Sequence, residues 1–219
     1  MARAAFLVRH GDRLDFAEPR WSASAQRPHD PPLSPDGVAQ VRALARRLRP
    51  ERIAHVFSSP FLRCVETAVL LAEATAGDVK IEQGLSEWLS AEWFPSPPAT
   101  CPPAELYARF PRIDRAYESR GGARWGESGE DALRRSGDTA VRLAAQFAGD
   151  LLLVGHGASI RGATAGLLGV PAAESNRLLP EEIPCASLVR LAQRDERWTL
   201  ELACDVSHLA CRAEAARYR

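Results

Sequence analysis

The sequence has no apolar run that approaches the roughly 20 residues needed to cross a bilayer. It also has no surplus of either charge, because 28 lysines and arginines balance 28 aspartates and glutamates. Without a positive surplus, the composition gives no support to non-specific binding of nucleic acid or of acidic lipid. We therefore expect neither nucleic acid nor a membrane among its partners.

Cysteine is scarce, with five residues at irregular spacings. An odd, irregular set does not resemble a disulfide framework, and the first ten residues are too short and too soon charged for a signal peptide. We therefore predict a cytoplasmic protein. The 219 residues suit a single domain over residues 1–219, which needs no disulfide or metal for stability. Lysine is scarcer still: apart from Lys80, every basic side chain is a guanidinium.

Short apolar runs alternate with helical periodicity along the chain. Strands are predicted at residues 6–8, 53–57, 79–82, 151–154, 187–191 and 198–202, the last two joined as a hairpin through residues 193–196. Helices are predicted after Ser34-Pro35, after Ser59-Pro60 as far as about Ala76, after Ser128, and from Gly157 to Gly169. Residues 14–33 and 88–103 are rich in proline and predicted as loops. This order predicts a three-layer α/β/α sandwich with a mainly parallel sheet and an antiparallel edge strand.

One pattern occurs twice: an apolar strand, then a histidine, then a glycine. His10-Gly11 follows the first strand, and His156-Gly157 follows the run at residues 151–154. Groups just beyond the carboxyl ends of parallel strands line the ligand crevice of such sheets. A single histidine in this position is more often a hydrogen-bonded turn residue. Two of them predict a shared cleft.

Arginines accompany the first histidine. Arg9 and Arg13 flank His10, and Arg63 falls in the first turn of the helix after Ser59-Pro60, where a cation opposes the helix dipole. These guanidiniums would repel one another with no anion present. They suit a dianionic phosphate, to which each can donate two parallel hydrogen bonds.

The segment Leu7-Val8-Arg9-His10-Gly11-Asp12-Arg13 resembles the Arg-His-Gly signature of the histidine phosphatase superfamily, the phosphoglycerate-mutase-like proteins. Four further segments resemble that family's motifs in the same order, over about residues 4–170. They are Ser58-Ser59-Pro60-Phe61-Leu62-Arg63, Gly84-Leu85-Ser86-Glu87-Trp88, Trp125-Gly126-Glu127-Ser128 and Val154-Gly155-His156-Gly157. Within the family, the sequence is most similar to the phosphatase domains of the suppressor of T-cell receptor signalling proteins and to the related ecdysteroid-phosphate phosphatases.

The resemblance implies a phosphomonoester hydrolase that needs no metal or cofactor. His10 would be the nucleophile and form a phosphohistidine, and Arg9, Arg13, Arg63 and His156 would hold the phosphoryl oxygens. His156 would add a fourth cation when protonated. Glu87 would be the general acid and then the base for water, which requires a pKa raised by apolar surroundings or by a nearby anion. Its apolar surroundings would come from Leu85, Trp88, Trp93 and Phe94, and the alternative acids are Glu82 and Glu92.

The two predicted loops carry aromatic residues that could form the walls of a cleft: Phe16, Trp21, Trp88, Trp93 and Phe94. Such walls favour a phosphotyrosine-like aryl phosphate or another phosphorylated small molecule with an apolar group. The alternative is that these rings pack on the domain's own surface. Members of the suppressor group form dimers, so the resemblance also implies a homodimer.

Several other functions fit parts of the sequence. A phosphoglycerate-mutase-type phosphoryl transferase uses the same site, although mutases tend to carry longer lid insertions. A catalytically weak phosphate-ester binding protein is the non-enzyme alternative. Nucleotide binding lacks both a GxGxxG after a strand and a P-loop lysine. Cys204, His208 and Cys211 share one helical face but lack a fourth zinc ligand.

Overall fold

A computed structural model describes residues 3–75 and 77–209. Within them, the strands are β1 (Arg3–Arg9), β2 (Ile53–Ser58), β3 (Val79–Ile81), β4 (Asp150–Gly155), β5 (Leu188–Arg194) and β6 (Arg197–Asp205). They form one sheet in the order β3-β2-β4-β1-β5-β6. Strands β1 to β4 pair in parallel, whereas β5 pairs antiparallel with both β1 and β6. The predicted mainly parallel sheet with an antiparallel edge is confirmed.

Helices cover both faces of the sheet. They are α1 (Leu14–Ala17), α2 (Trp21–Ser24), α3 (Pro35–Leu48), α4 (Leu62–Ala72), α5 (Pro103–Arg109), α6 (Gly129–Gln146) and α7 (Gly157–Leu168), with 3₁₀ turns at Gln83–Leu85 and Ala172–Arg177. Alternate residues of β1 enter opposite cores, because side chains alternate across a strand. Phe6 packs with Val41 of α3 on one face, and Leu7 packs with Leu143 of α6 on the other. The three predicted layers follow from this alternation.

Most helix ends lie where the sequence predicts them. The Ser34 hydroxyl accepts the Gly37 N–H at 2.9 Å, and the Ser128 hydroxyl accepts the Asp131 N–H at 3.1 Å. Gly169 ends α7 with a φ of 70°, a left-handed conformation that glycine adopts without strain. The β5–β6 hairpin turns through Asp195 and Glu196, both with positive φ, as a two-residue hairpin turn requires.

The loop predicted for residues 88–103 is confirmed, since α5 begins only at Pro103. Two other local predictions are wrong. Residues 14–33, predicted as a loop, contain the one-turn helices α1 and α2. Helix α4 begins at Leu62 rather than after Ser59-Pro60, because the Ser59 N–H still pairs with the Val154 carbonyl of the sheet at 2.9 Å. It ends at Ala72, and the predicted end at Ala76 lies outside the described residues.

Helices α6 and α7 approach so closely that only glycine fits between them. A Cβ built on Gly166 would lie 2.5 Å from the Cα of Gly137, and one on Gly162 would lie 2.3 Å from the Leu133 carbonyl oxygen. Real Cβ atoms essentially never come closer than 3.0 Å to such atoms. The two helices therefore pack backbone against backbone on one face of the sheet.

Candidate active site

His10 and His156 directly follow β1 and β4, two strands that pair in parallel. Arg9 and Gly155 are partners in that pairing, and the His10 N–H donates to the Gly155 carbonyl at 3.0 Å. The two imidazole centroids lie 5.4 Å apart in an edge-on arrangement, and both side chains are buried. The parallel pairing thus brings together the two histidines that are far apart in sequence.

Nitrogen Nδ1 of His10 lies 2.8 Å from the carbonyl oxygen of Gly11. A carbonyl only accepts hydrogen bonds, so Nδ1 carries the proton and Nε2 keeps its lone pair. Burial, followed by the charges of Arg63 and Arg9, holds the pKa of His10 well below its usual value. The ring is therefore neutral at neutral pH, with Nε2 available as a nucleophile.

The Arg63 guanidinium is almost fully buried in the first turn of α4. Its Nη2 lies 3.2 Å from Nδ1 of His156 and 3.4 Å from Oε2 of Glu87. Among the described residues its Nε and Nη1 have no hydrogen-bond partner, and neither does the buried Nε of Arg9. Buried donors without acceptors are costly, and an oxyanion satisfies several at once. The arrangement suits a phosphate group beside His10.

Arg13 is oriented differently from the other two arginines. Two of its nitrogens bond to the Asp15 carboxylate, and the guanidinium lies over the ring of Phe16, 4.4 Å from its centroid. After burial, the charge of Arg13 is the main cause that lowers the pKa of Arg63. Arg13 therefore acts on the pocket through its charge, while its hydrogen bonds go to Asp15.

Glu87 lies against the second histidine. Its Oε2 is 3.1 Å from Nδ1 of His156. Burial alone would raise the pKa of Glu87, but its interactions with His156 and Arg63 outweigh burial and hold the pKa below the usual range. The prediction that apolar neighbours raise this pKa is therefore wrong for the free site, because Glu87 sits in an ion pair. Burial lowers the pKa of His156 to about 4, although the charge of Glu87 acts to raise it. His156 is therefore neutral near neutral pH and adds no fourth cation to the free site.

The two alternative acids differ from Glu87 in their surroundings. Glu82 is fully buried and accepts hydrogen bonds from the Tyr117 hydroxyl at 2.6 Å and the Ser119 hydroxyl at 2.8 Å. Glu92 is exposed. Of the three carboxylates, Glu87 is the one placed against His156 and Arg63.

Two further residues of the site, Ser59 and Asp30, are not predicted as site residues from the sequence. The Ser59 hydroxyl lies 2.8 Å from Nε2 of His156. The buried Asp30 carboxylate accepts the backbone N–H of Leu62 at 2.7 Å and that of Cys101 at 2.8 Å. Asp30 thereby ties both predicted loops to the helix that carries Arg63. These partners come together only in the folded chain.

Of the aromatic residues predicted to form the walls of a cleft, some pack inside the domain and others are exposed to solvent. Phe94 is buried, with its ring 5.2 Å from that of His29. Trp93 is 56% exposed, and its ring packs at a tilt of 59° against that of Trp88, with 4.6 Å between the centroids. Trp88 follows Glu87 in the chain. Phe16 is 47% exposed. Phe94 thus packs on the domain itself, whereas Trp93 and Phe16 present apolar surface to solvent.

The zinc alternative rests partly on Cys211, which lies outside the described residues. The His208 Nε2 lies 3.0 Å from the Ala186 carbonyl oxygen, and Cys204 is buried. Across residues 3–75 and 77–209, no three His, Cys, Asp or Glu side chains are grouped as a metal site.

Comparison with known proteins adds a family match. The profile of the family described as histidine phosphatase superfamily (branch 1) matches residues 5–206. The ecdysteroid-phosphate phosphatase of Drosophila melanogaster is 27% identical over 90% of this chain. The chain spans only 31% of that relative's length.

Two other similarities extend over nearly the whole chain. A probable phosphoglycerate mutase of Yersinia pestis (strain Pestoides F) is 30% identical over 93% of this chain and 94% of its own length. The crystal structure of the Bombix mori ecdysone phosphate phosphatase, in complex with tungstate, superposes with a TM-score of 0.73 over 92% of this chain and 93% of that chain, at 21% identity. The last likeness shows the fold. In the described part of the chain, none of the helices has the length and apolar character to span a membrane.

Proposed function

This chain belongs to the histidine phosphatase superfamily, and we propose that it hydrolyses phosphomonoesters through a phosphohistidine on His10. One observation carries the proposal: Nε2 of His10 keeps its lone pair, and Arg63 and Arg9, whose charges act on this ring, have buried N–H groups without an acceptor among the described residues. A nucleophile beside unsatisfied cationic donors is what attack on a phosphate dianion requires. The same guanidiniums supply the positive charge that a metal ion supplies in other phosphoryl-transfer sites.

In the first step, Nε2 of His10 bonds to phosphorus as the ester P–O bond breaks, and Glu87 gives a proton to the departing oxygen. In the second step, Glu87 takes a proton from water, whose oxygen displaces the histidine and yields inorganic phosphate. Arg63 and His156 hold Glu87 ionised in the free site. A bound phosphate dianion takes over these partners and adds a nearby negative charge, so it raises the pKa of Glu87.

The direct test is hydrolysis of p-nitrophenyl phosphate by the wild-type protein from pH 5 to 8 with EDTA present. We expect turnover that EDTA leaves unchanged, with an acid-labile, alkali-stable phosphoprotein trapped on quenching. Because the pKa of His10 is lowered, the nucleophile should stay unprotonated over the range in which an ordinary imidazole, with a pKa near 6.5, gains its proton.

Three results would count against the proposal. Loss of activity with EDTA and recovery with magnesium would show metal-dependent hydrolysis. A phosphoprotein that returns its phosphoryl group to 3-phosphoglycerate faster than to water would show mutase-type transfer. Neither turnover nor a phosphoprotein would leave a phosphate-ester binding protein.

Glu87→Gln should reveal the general acid through the choice of substrate. We expect a loss of about 10²–10⁴-fold on alkyl phosphates, whose alkoxide needs a proton, and a much smaller loss on p-nitrophenyl phosphate. The measurement is kcat/KM on both esters, with Glu92→Gln as the control because Glu92 is exposed. Equal losses on both esters would remove Glu87 from the acid role.

The proposed substrate class is an aryl or otherwise apolar phosphomonoester. It rests on exposed Trp93, which packs against Trp88 beside Glu87, and on exposed Phe16, whose ring lies under the Arg13 guanidinium. We also propose a single cytoplasmic domain that forms a homodimer. Cytoplasmic placement agrees with the four described cysteines, which are all free thiols.

A further inference from the structure

The loop that carries Glu87 is held by a helix α6 residue that takes no part in the proposed chemistry. We propose that Arg135 is a positioning residue that fixes the Glu87 carboxyl group where the leaving oxygen departs. This inference rests on the proposed acid role of Glu87. It concerns how that group is held rather than what it does.

All five N–H donors of the Arg135 guanidinium are used. Nε donates to Oε2 of Glu127 at 3.0 Å, and Nη2 donates to Oε1 of Glu127 at 2.6 Å. Nη1 donates to the carbonyls of Gly84 at 2.8 Å and Ser86 at 3.2 Å, and Nη2 also donates to the Glu87 carbonyl at 3.1 Å. One rigid side chain thus holds three carbonyls of the segment that ends at Glu87.

Glu127, which accepts two of the Arg135 hydrogen bonds, also holds the residues that follow Glu87 in the chain. Its backbone carbonyl accepts the Trp88 indole N–H at 2.9 Å, and its Oε1 accepts the Leu89 N–H at 3.3 Å. The Arg135 and Glu127 side chains are only 10% and 6% exposed. Residues 86–90 belong to no helix or strand, so these hydrogen bonds replace the support that a regular element would give.

The hydrogen bonds of Arg135 matter most for the position of Glu87 when substrate is bound. In the free site the Glu87 carboxylate is held by His156 and Arg63. Those are the groups that a phosphate takes over, so their hold on Glu87 weakens as catalysis begins. Arg135 instead donates a hydrogen bond to the backbone carbonyl of Glu87, and none of its partner atoms is one that phosphate would displace. A catalytic group displaced by about 1 Å can lose roughly 10²-fold in rate.

The test compares Arg135→Lys with its neighbour Arg134→Lys. Lysine has three donors and no planar fork, so it cannot hold Glu127 and three carbonyls at once. Arg134 is 58% exposed, and its ion pair is with Asp131 on the surface. We expect Arg135→Lys to lower kcat on alkyl phosphates by about 10²-fold, with KM nearly unchanged and a much smaller loss on p-nitrophenyl phosphate. Arg134→Lys should match the wild type on both.

Equal losses of Arg135→Lys on both esters would show a merely structural residue and overturn the inference. If Arg135→Lys fails to fold by circular dichroism and thermal melting, Glu127→Gln removes the charge at constant shape and should give the same leaving-group dependence. Glu87→Gln is measured alongside. If it shows the dependence and Arg135→Lys does not, this inference alone fails, and if Glu87→Gln loses both activities equally, the acid role fails and the inference with it.

Discussion

His10→Ala should lose at least about 10⁴-fold in kcat on p-nitrophenyl phosphate, because it removes the nitrogen to which phosphorus bonds. The hydrogen bond from Nδ1 to the Gly11 carbonyl leaves Nε2 unprotonated, and the charges of Arg63 and Arg9 act on the same ring. The measurement is steady-state turnover together with phosphoprotein trapping. Turnover and the trapped phosphoprotein should both be lost in this variant.

A matched control is His55→Gln, since His55 lies on β2 away from the site and its Nε2 hydrogen-bonds to the backbone carbonyl of Ala148, at 3.0 Å. This variant should retain wild-type turnover. His10→Ala should still bind orthovanadate or phosphate, because Arg63 and Arg9 remain. Trapping of phosphoprotein in His10→Ala would place the nucleophile elsewhere.

Arg63→Gln is the substitution with the next largest expected effect. Removing an arginine that stabilises a transferring phosphoryl group costs about 10³-fold or more in rate. The buried Nε and Nη1 of Arg63 have no hydrogen-bond partner among the described residues, so a bound anion should also stabilise the fold. Inorganic phosphate should raise the melting temperature of the wild type, since a ligand at 100 times its Kd stabilises by about 2.7 kcal/mol. The variant should show little of that rise.

The control for Arg63 is Arg109→Gln, because Arg109 is 42% exposed and pairs with Glu66. It should keep both turnover and the phosphate-dependent rise in melting temperature. An Arg63→Gln protein that is stabilised by phosphate as strongly as the wild type would show that the anion binds elsewhere.

The sequence predicts the site where its signal is local. A strand followed by His-Gly can be read directly, and the parallel pairing of two such strands is what brings His10 to His156. Periodicity and caps place α3, α6 and α7 correctly, because a serine cap and a C-terminal glycine act within a few residues. These features depend on neighbours in the chain.

Features that depend on distant partners are harder to predict. Ser59 has the pattern of a helix cap, but the fold places its hydroxyl on His156. Val141 on α6 is an apolar residue at helical spacing, and yet its side chain is 46% exposed. The lowered pKa of Glu87 depends on His156 and Arg63, which are remote in sequence. Such electrostatic and hydrogen-bonding partners are assembled by tertiary structure.

The glycine contact between α6 and α7 has a consequence for which substitutions the chain can tolerate. Helix α7 begins next to His156, and α6 carries Arg135, which donates a hydrogen bond to the backbone carbonyl of Glu87. A methyl group at Gly162 or Gly166 would force the two helices apart, because the facing backbone leaves no space. The spacing of His156 and Glu87 is therefore set partly at positions that touch neither. A larger residue at either glycine should therefore disturb the reacting groups without contacting them.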